Sequence, residues 1–347
     1  MNSHAIGDPS HDPRLDPRLR AFIARWPMDV ATNVASREEL LAAANSEEGQ
    51  RSTALENDFM NEADNETVAP SRGLSITERT ISAQPDGNLI NLRLIRPIGT
   101  EILPCVYYIH GGAMTGLSCF LGTFSAWGKI LAAKGVAVVM VDFRNAVVPS
   151  SVPDVAPFPA GLTDCVSGLE WLIANAEELA IDPARVVVAG ESGGGNLTLA
   201  TGLTLKRQNK QHLVRGLYAL CPYINGHWPD ERYPSSIEFN GYALELHNNR
   251  GAMGYGIEAF NEENPLAWPG FASSHDLNGL PPTVISVNEC DPLRDEGIAL
   301  YRRLLEAGVA ARGRVVLGTT HATELYPTLC PEITHATADD LVAFVRS

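Results

Sequence analysis

The feature that most constrains this chain is the run Val186-Val187-Val188-Ala189-Gly190-Glu191-Ser192-Gly193-Gly194-Gly195-Asn196-Leu197. Its β-branched start favours a strand, and Leu197-Thr198-Leu199-Ala200-Thr201 favours a helix. The residues between leave room only for a tight strand-to-helix turn. Cβ atoms at Gly190 and Gly194 would collide as the two elements close. Ser192 then sits at the tip in a strained conformation with Oγ projecting, as a nucleophile elbow requires. The same pattern also fits a glycine-rich turn with an idle serine. The chemistry therefore depends on an oxyanion site upstream, and an acid and a histidine downstream.

Composition narrows the field. The chain has 347 residues, 45% hydrophobic and 19% charged, which suits one large α/β unit with an insertion or two domains. The net charge of −15 argues against a nucleic-acid partner, because no basic patch offsets phosphate repulsion. The six cysteines, Cys105, Cys119, Cys165, Cys221, Cys290 and Cys330, form no C-x-x-C pair, so zinc is not suggested. Several lie in apolar runs as small core residues, which implies a reducing compartment. Cys290, beside Asp291, is a second nucleophile candidate, with the core the better reading. Met1 to Asp8 lacks a basic and an apolar region, and no apolar run reaches membrane length. A soluble cytoplasmic protein without membrane contact is expected.

Residues 1 to 70 carry no clear strand. Leu15, Leu19, Phe22, Ile23 and Trp26 have helical spacing, and Ser36 reads as an N-cap before Leu40-Leu41. Asp58 to Asn65 reads as loop. These amphipathic pieces need a surface to cover, which favours a lid. Residues 75–81 and 88–95 alternate around Asp86-Gly87 as a hairpin. Strands at 105–109, 136–141 and 185–189 then alternate with helices such as 161–176, implying a mostly parallel sheet covered on both faces. After Pro222 the alternation stops until a strand at 283–288. Residues 223 to 278 read as a second lid segment. A helix from Leu293 to Ala307, a strand at 314–317 and a closing helix around 339–345 complete the chain.

Three pieces supply what an elbow serine needs. His110-Gly111-Gly112-Ala113 follows a strand, and Gly111, Gly112 and Ala113 with Gly193 form a candidate oxyanion hole. Its donors are expected at Gly112, Ala113 and Gly193. His110 precedes the elbow and is read as a loop-holding residue. Asp291 lies beyond the 283–288 strand, but it is also a good helix cap before Pro292. Asp295 and Glu289 are rival carboxylates. His321 follows the last strand, within reach of the serine. His335 begins the terminal helix region, and His212, His227, His247 and His275 lie outside predicted strand ends. Ser192, Asp291 and His321 fall in the order nucleophile, acid, base of α/β-hydrolases.

These residues carry a family resemblance. His110-Gly111-Gly112, the run Gly190 to Leu197, Asp291-Pro292-Leu293-Arg294-Asp295-Glu296-Gly297 and the late His321 resemble the hormone-sensitive-lipase-like branch (bacterial family IV) of α/β-hydrolase esterases. Pro157-Phe158-Pro159-Ala160-Gly161 with Asp164-Cys165 is similar to another family segment. The resemblance spans residues 74 to 347. It implies an α/β-hydrolase fold with a mostly parallel sheet of about eight strands, helices on both faces and a helical cap. The implied boundaries are cap segments at 1–70 and 223–278, and core parts at 71–222 and 279–347. It further implies a serine carboxylesterase acting on short- to medium-chain esters, without cofactor or metal, frequently as a homodimer. It selects Asp291 over Asp295. Trp228, Phe239, Tyr242 and Phe260 are candidate pocket residues. Relatives also include receptors that lost the histidine, and an amidase on the same scaffold is the rival enzyme. Departures are Ala113 for a third loop glycine, the loop Asn145 to Ala156, and Ala322-Thr323-Glu324 after His321.

Overall fold

The computed structural model describes residues 9–25, 28 and 30–347. Trp26 and the Met1–Asp8 segment lie outside them. Eight strands form one sheet in the order β1-β2-β4-β3-β5-β6-β7-β8. They span Leu74–Ser82 (β1), Leu89–Pro97 (β2), Leu103–Ile109 (β3), Ala137–Asp142 (β4), Ile181–Glu191 (β5), Gly216–Leu220 (β6), Thr283–Asn288 (β7) and Ala311–Val316 (β8). The β1–β2 hairpin pairs Leu74 with Pro97 and Ser82 with Leu89, and β2 runs antiparallel to β4. All other pairings are parallel.

Parallel strands need covering on both faces, and alternation within each strand shows that they have it. On β3, Cys105, Tyr107 and Ile109 join one core with Leu169 of α5 (Ala160–Ala174) and Ala200 of α6 (Gly193–Arg207). Val106 and Tyr108 join another with Trp127 of α4 (Gly122–Ala133) and Leu341 of α12 (Pro331–Arg346). These strand residues are fully buried. Helix α11 (Arg294–Glu306) packs Leu300 and Leu304 near β7.

The strand order fixes the site. From β3 the chain moves to β4 on one side, then crosses back to β5 on the other, so the ends of β3 and β5 diverge at a switch point. Ile109 pairs with Gly190, which brings the loop after β3 against the turn after β5.

Three N-terminal helices, α1 (Pro17–Ile23), α2 (Arg37–Ala44) and α3 (Glu47–Asn61), precede the sheet. Ser36 caps α2 as expected, accepting from Glu39 N. Helix α3 extends to Asn61, through part of the stretch read as loop. Ser46 caps its start, and tertiary bonds fix its end: Asn61 Oδ1 accepts from Gly122 N at 2.8 Å, and Met60 O from Thr123 Oγ1 at 3.1 Å. Between β6 and β7 lie only short helices, α7 (Ser235–Glu238), α8 (Arg250–Tyr255), α9 (Ile257–Asn261) and α10 (Ser274–Leu277). This insertion packs on the N-terminal segment. Asn249 Oδ1 accepts from Val34 N and its Nδ2 donates to Val34 O, both at 2.9 Å.

Glu296 of α11 ties the insertion to the sheet. Its carboxylate accepts from Ile224 N at 2.9 Å, Asn225 N at 3.2 Å and Trp228 Nε1 at 2.6 Å. Burial pushes its pKa up to about 8 despite these donors. No helix of the described residues is long and apolar enough to cross a membrane.

Candidate active site

Ser192 has φ 55° and ψ −119°, a strained conformation at the start of α6. Its N–H donates to Leu220 O at 2.9 Å, and its carbonyl accepts from Tyr223 N at 3.0 Å. The flanking glycines are required. A Cβ at Gly190 would lie 2.4 Å from Ile109 O, and one at Gly194 only 2.0 Å from the same atom.

The loop after β3 meets this turn closely. A Cβ at Gly193 would lie 2.7 Å from Met114 N and 2.8 Å from Ala113 N. Gly112 and Ala113 both have positive φ, at 95° and 51°. The N–H groups of Gly112, Ala113 and Gly193 donate to no protein acceptor among the described residues. Gly193 is buried and Gly112 and Ala113 are half-buried on the wall of a cavity, so the three N–H groups are open to an acceptor that is not protein. Gly111, a member of the candidate oxyanion loop but not one of its expected donors, commits its N–H to Glu191 Oε1.

Glu191 was not singled out in the sequence, although a charged residue ending a buried apolar strand is unusual enough to flag. Its other oxygen, Oε2, accepts from Tyr108 Oη. Burial pushes its pKa up to about 7. Its two acceptor oxygens match two donors only when it is ionised. Glu191→Gln places an NH2 opposite one of them and loosens the loop. We expect kcat on p-nitrophenyl acetate to fall about 5–30-fold, a fraction of one oxyanion donor's worth, with little change in KM. Steady-state kinetics beside a melting curve checks this.

Asp291 divides its oxygens. Oδ2 meets His321 Nδ1 at 2.8 Å, and Oδ1 accepts from Leu293 N at 2.9 Å. The capping role and the histidine-orienting role, rivals in the sequence, coexist because a carboxylate has two ends. Burial works against a charged His321 ring, but Asp291 overrides it and raises the histidine pKa well above 6.5. Asp295 faces elsewhere, accepting from Ser235 N at 2.8 Å and Arg294 Nε at 2.8 Å. Glu289 accepts from Gly318 N at 2.7 Å. Ser192 Oγ has no hydrogen-bond partner among the described residues, so the Ser192–His321 contact is the one member of the set not formed. Such contacts often tighten only when substrate binds.

Neighbouring residues complete the picture. Cys221 Sγ, a ring nitrogen of His321 and a carboxylate oxygen of Asp291 lie within 4.8 Å of one another. Cys290 is buried, and burial pushes its thiol up to about 12, which removes it as a nucleophile. His110 is fully buried, stacked on Phe143 at 4.4 Å, with Nδ1 2.9 Å from Gly111 O. Burial lowers its pKa. Asn196 Nδ2 donates to Tyr223 O and Ala267 O, both at 2.9 Å, joining α6 to the insertion.

A cavity of about 630 Å³ opens beside the loop, lined by Gly112, Ala113, Tyr223, Leu40, Val148 and Leu244 among others. Trp228, Phe239, Tyr242 and Phe260 are not in its wall. The first three are buried elsewhere. Trp228 is held by Glu296, Phe239 lies under Arg14 and Arg294, and Tyr242 bonds Asp12. Phe260 packs on Trp268 and Phe271.

A mostly parallel eight-stranded sheet with a serine elbow after β5 and a glycine loop after β3 defines an α/β-hydrolase. A family model described as the alpha/beta hydrolase fold matches residues 106–325. The arylesterase of Saccharolobus solfataricus is 33% identical over 238 residues, covering 67% of this chain and 72% of that protein. The structure of esterase Est22 is 56% identical, covering 98% of this chain and 99% of that one, with a TM-score of 0.95. Brefeldin A esterase, described as a bacterial homologue of human hormone-sensitive lipase, is 36% identical over 98% of this chain and 95% of its own, with a TM-score of 0.84. The chain belongs to the hormone-sensitive-lipase-like family IV branch of the α/β-hydrolase esterases, and it is a carboxylic ester hydrolase.

Proposed function

We propose that the enzyme hydrolyses short- to medium-chain carboxylic esters through Ser192, Asp291 and His321, by way of an acyl-enzyme. The observation that carries this is the Asp291–His321 pair at 2.8 Å beside unpaired N–H groups at the serine elbow. His321 takes the Ser192 Oγ proton as oxygen attacks the ester carbonyl, then returns it to the leaving alcohol. The N–H groups of Gly112, Ala113 and Gly193 receive the negative charge that develops on the carbonyl oxygen. Asp291 fixes the ring tautomer and stabilises the imidazolium. Water deacylates the serine by the same route reversed.

Residues 1–70 and 223–278 act as the cap in this reading, supported by their mutual bonds and by the cavity walls they supply. A homodimer is supported by the edge strand β8, which exposes Val315, with Leu317 exposed just beyond it. Six free, buried cysteines support a reducing, cytoplasmic setting. Hydrolysis of p-nitrophenyl esters from acetate to palmitate tests the substrate reading. Activity is expected to peak at a short chain and fall away for palmitate. A peak at palmitate would refute the acyl-size assignment.

A further inference from the structure

One polar atom at this site has no role in ester hydrolysis, the sulfur of Cys221. The residue follows β6 in a left-handed conformation, φ 33°, and its N–H donates to Ser286 O at 2.7 Å. The backbone is thereby pinned where β6 meets β7. Cys221, Asp291 and His321 are the one group of three ligand-type side chains so close among the described residues, with their atoms within 4.8 Å of one another. A tetrahedral zinc ion holds sulfur, nitrogen and oxygen at about 2.0–2.3 Å, which puts neighbouring ligand atoms about 3.4–3.6 Å apart. Closing the set around one ion needs Cys221 Sγ to move in by about 1 Å and the His321 Nδ1–Asp291 Oδ2 pair, at 2.8 Å, to open by a few tenths, both within side-chain torsions. Thiolate and imidazole together select zinc-like cations over magnesium or calcium. The net charge of −15 raises the local concentration of any cation.

We propose that Cys221, His321 and Asp291 form an inhibitory site for a borderline-soft divalent cation of the zinc class. This rests on His321 being the base for Ser192. Binding forms metal–sulfur and metal–Nδ1 bonds; the thiol proton leaves to solvent, and the Nδ1 proton moves to Nε2 of the same ring. Nε2, which would take the serine proton, is then already protonated. Turnover stops, and a chelator that strips the ion restores it.

The test uses the whole protein and the metal alone. Zn2+ is titrated into p-nitrophenyl acetate hydrolysis, followed by excess EDTA. Wild type is expected to be inhibited and to recover. Cys221→Ser and Cys221→Ala are expected to raise the half-inhibiting concentration by at least about tenfold. A second readout needs neither turnover nor a Cys221 variant. Co2+ added to the Ser192→Ala protein should give a sulfur-to-cobalt charge-transfer band in the near ultraviolet. No inhibition of wild type, equal inhibition of the Cys221 variants, or bound Co2+ without that band overturns the site and leaves the Ser192 reading intact. Activity surviving in His321→Ala would instead overturn the reading on which it rests.

Discussion

Ser192→Ala is expected to lower ester turnover by about 10⁴–10⁶-fold, the scale on which a nucleophile of this type acts. That corresponds to about 5–8 kcal/mol of transition-state stabilisation. The substitution removes one oxygen and nothing else. The Cβ stays, and the strained backbone is held by bonds that alanine keeps, from its own N–H to Leu220 O and from Tyr223 N to its carbonyl. Ser192 Oγ makes no hydrogen bond in the fold, so none is lost. The melting temperature should therefore match wild type. A residual rate within tenfold of wild type would mean that another nucleophile attacks the ester.

Asp291→Asn is the second large effect, expected at about 10³–10⁴-fold in kcat. The hydrogen-bond pattern explains why. Leu293 N–H needs an acceptor where Oδ1 now sits. The asparagine oxygen is drawn there, and its NH2 then faces His321 Nδ1. That nitrogen must become the acceptor, which puts the ring proton on Nε2, where the base should be free. The pH profile carries a second signature. A base must be neutral to act, so activity is lost as pH falls through the His321 pKa. In wild type that limb lies well above pH 6.5, because Asp291 favours the charged ring. Without Asp291 burial, which favours the neutral ring, is opposed by Cys221 alone, so the residual activity should keep its level to lower pH than in wild type. Asp295→Asn should change kcat little, since Asp295 serves Ser235 and Arg294. Comparing kcat/KM against pH for the three proteins checks both effects. A larger loss from Asp295→Asn would reassign the acid.

Much of the architecture was legible because it is written in local pattern. Strand periodicity, the Asp86-Gly87 hairpin and the glycines at 190 and 194 are constraints that neighbours in sequence impose on one another. The hydrogen bonds that tune the site are of another kind. Gly111 N meets Glu191 across 80 residues, and Glu296 reaches Ile224 across 72. No local pattern encodes such a partner, so Gly111 read only as part of the oxyanion loop and Glu296 only as one residue of the Asp291–Gly297 motif. The aromatic residues of the insertion misled for a related reason. Aromaticity says that a side chain will be buried, but not whether it faces a cavity or the core. Helix α3 runs into the stretch read as loop because contacts from α4 hold its last turn, where local propensity is weak.

The sequence by itself determined the elbow, the alternation of strands and helices, and the order of serine, acid and histidine. Each follows from sterics or periodicity over a few residues. Only the tertiary structure decided which donors remain free, how Asp291 shares its two oxygens, and that Cys221 lies beside His321. Those depend on the crossing at β3 and β5 and on burial, which sets the value of every charge it encloses. A chain specifies its turns residue by residue, but the environment of a buried proton exists only once distant strands have met.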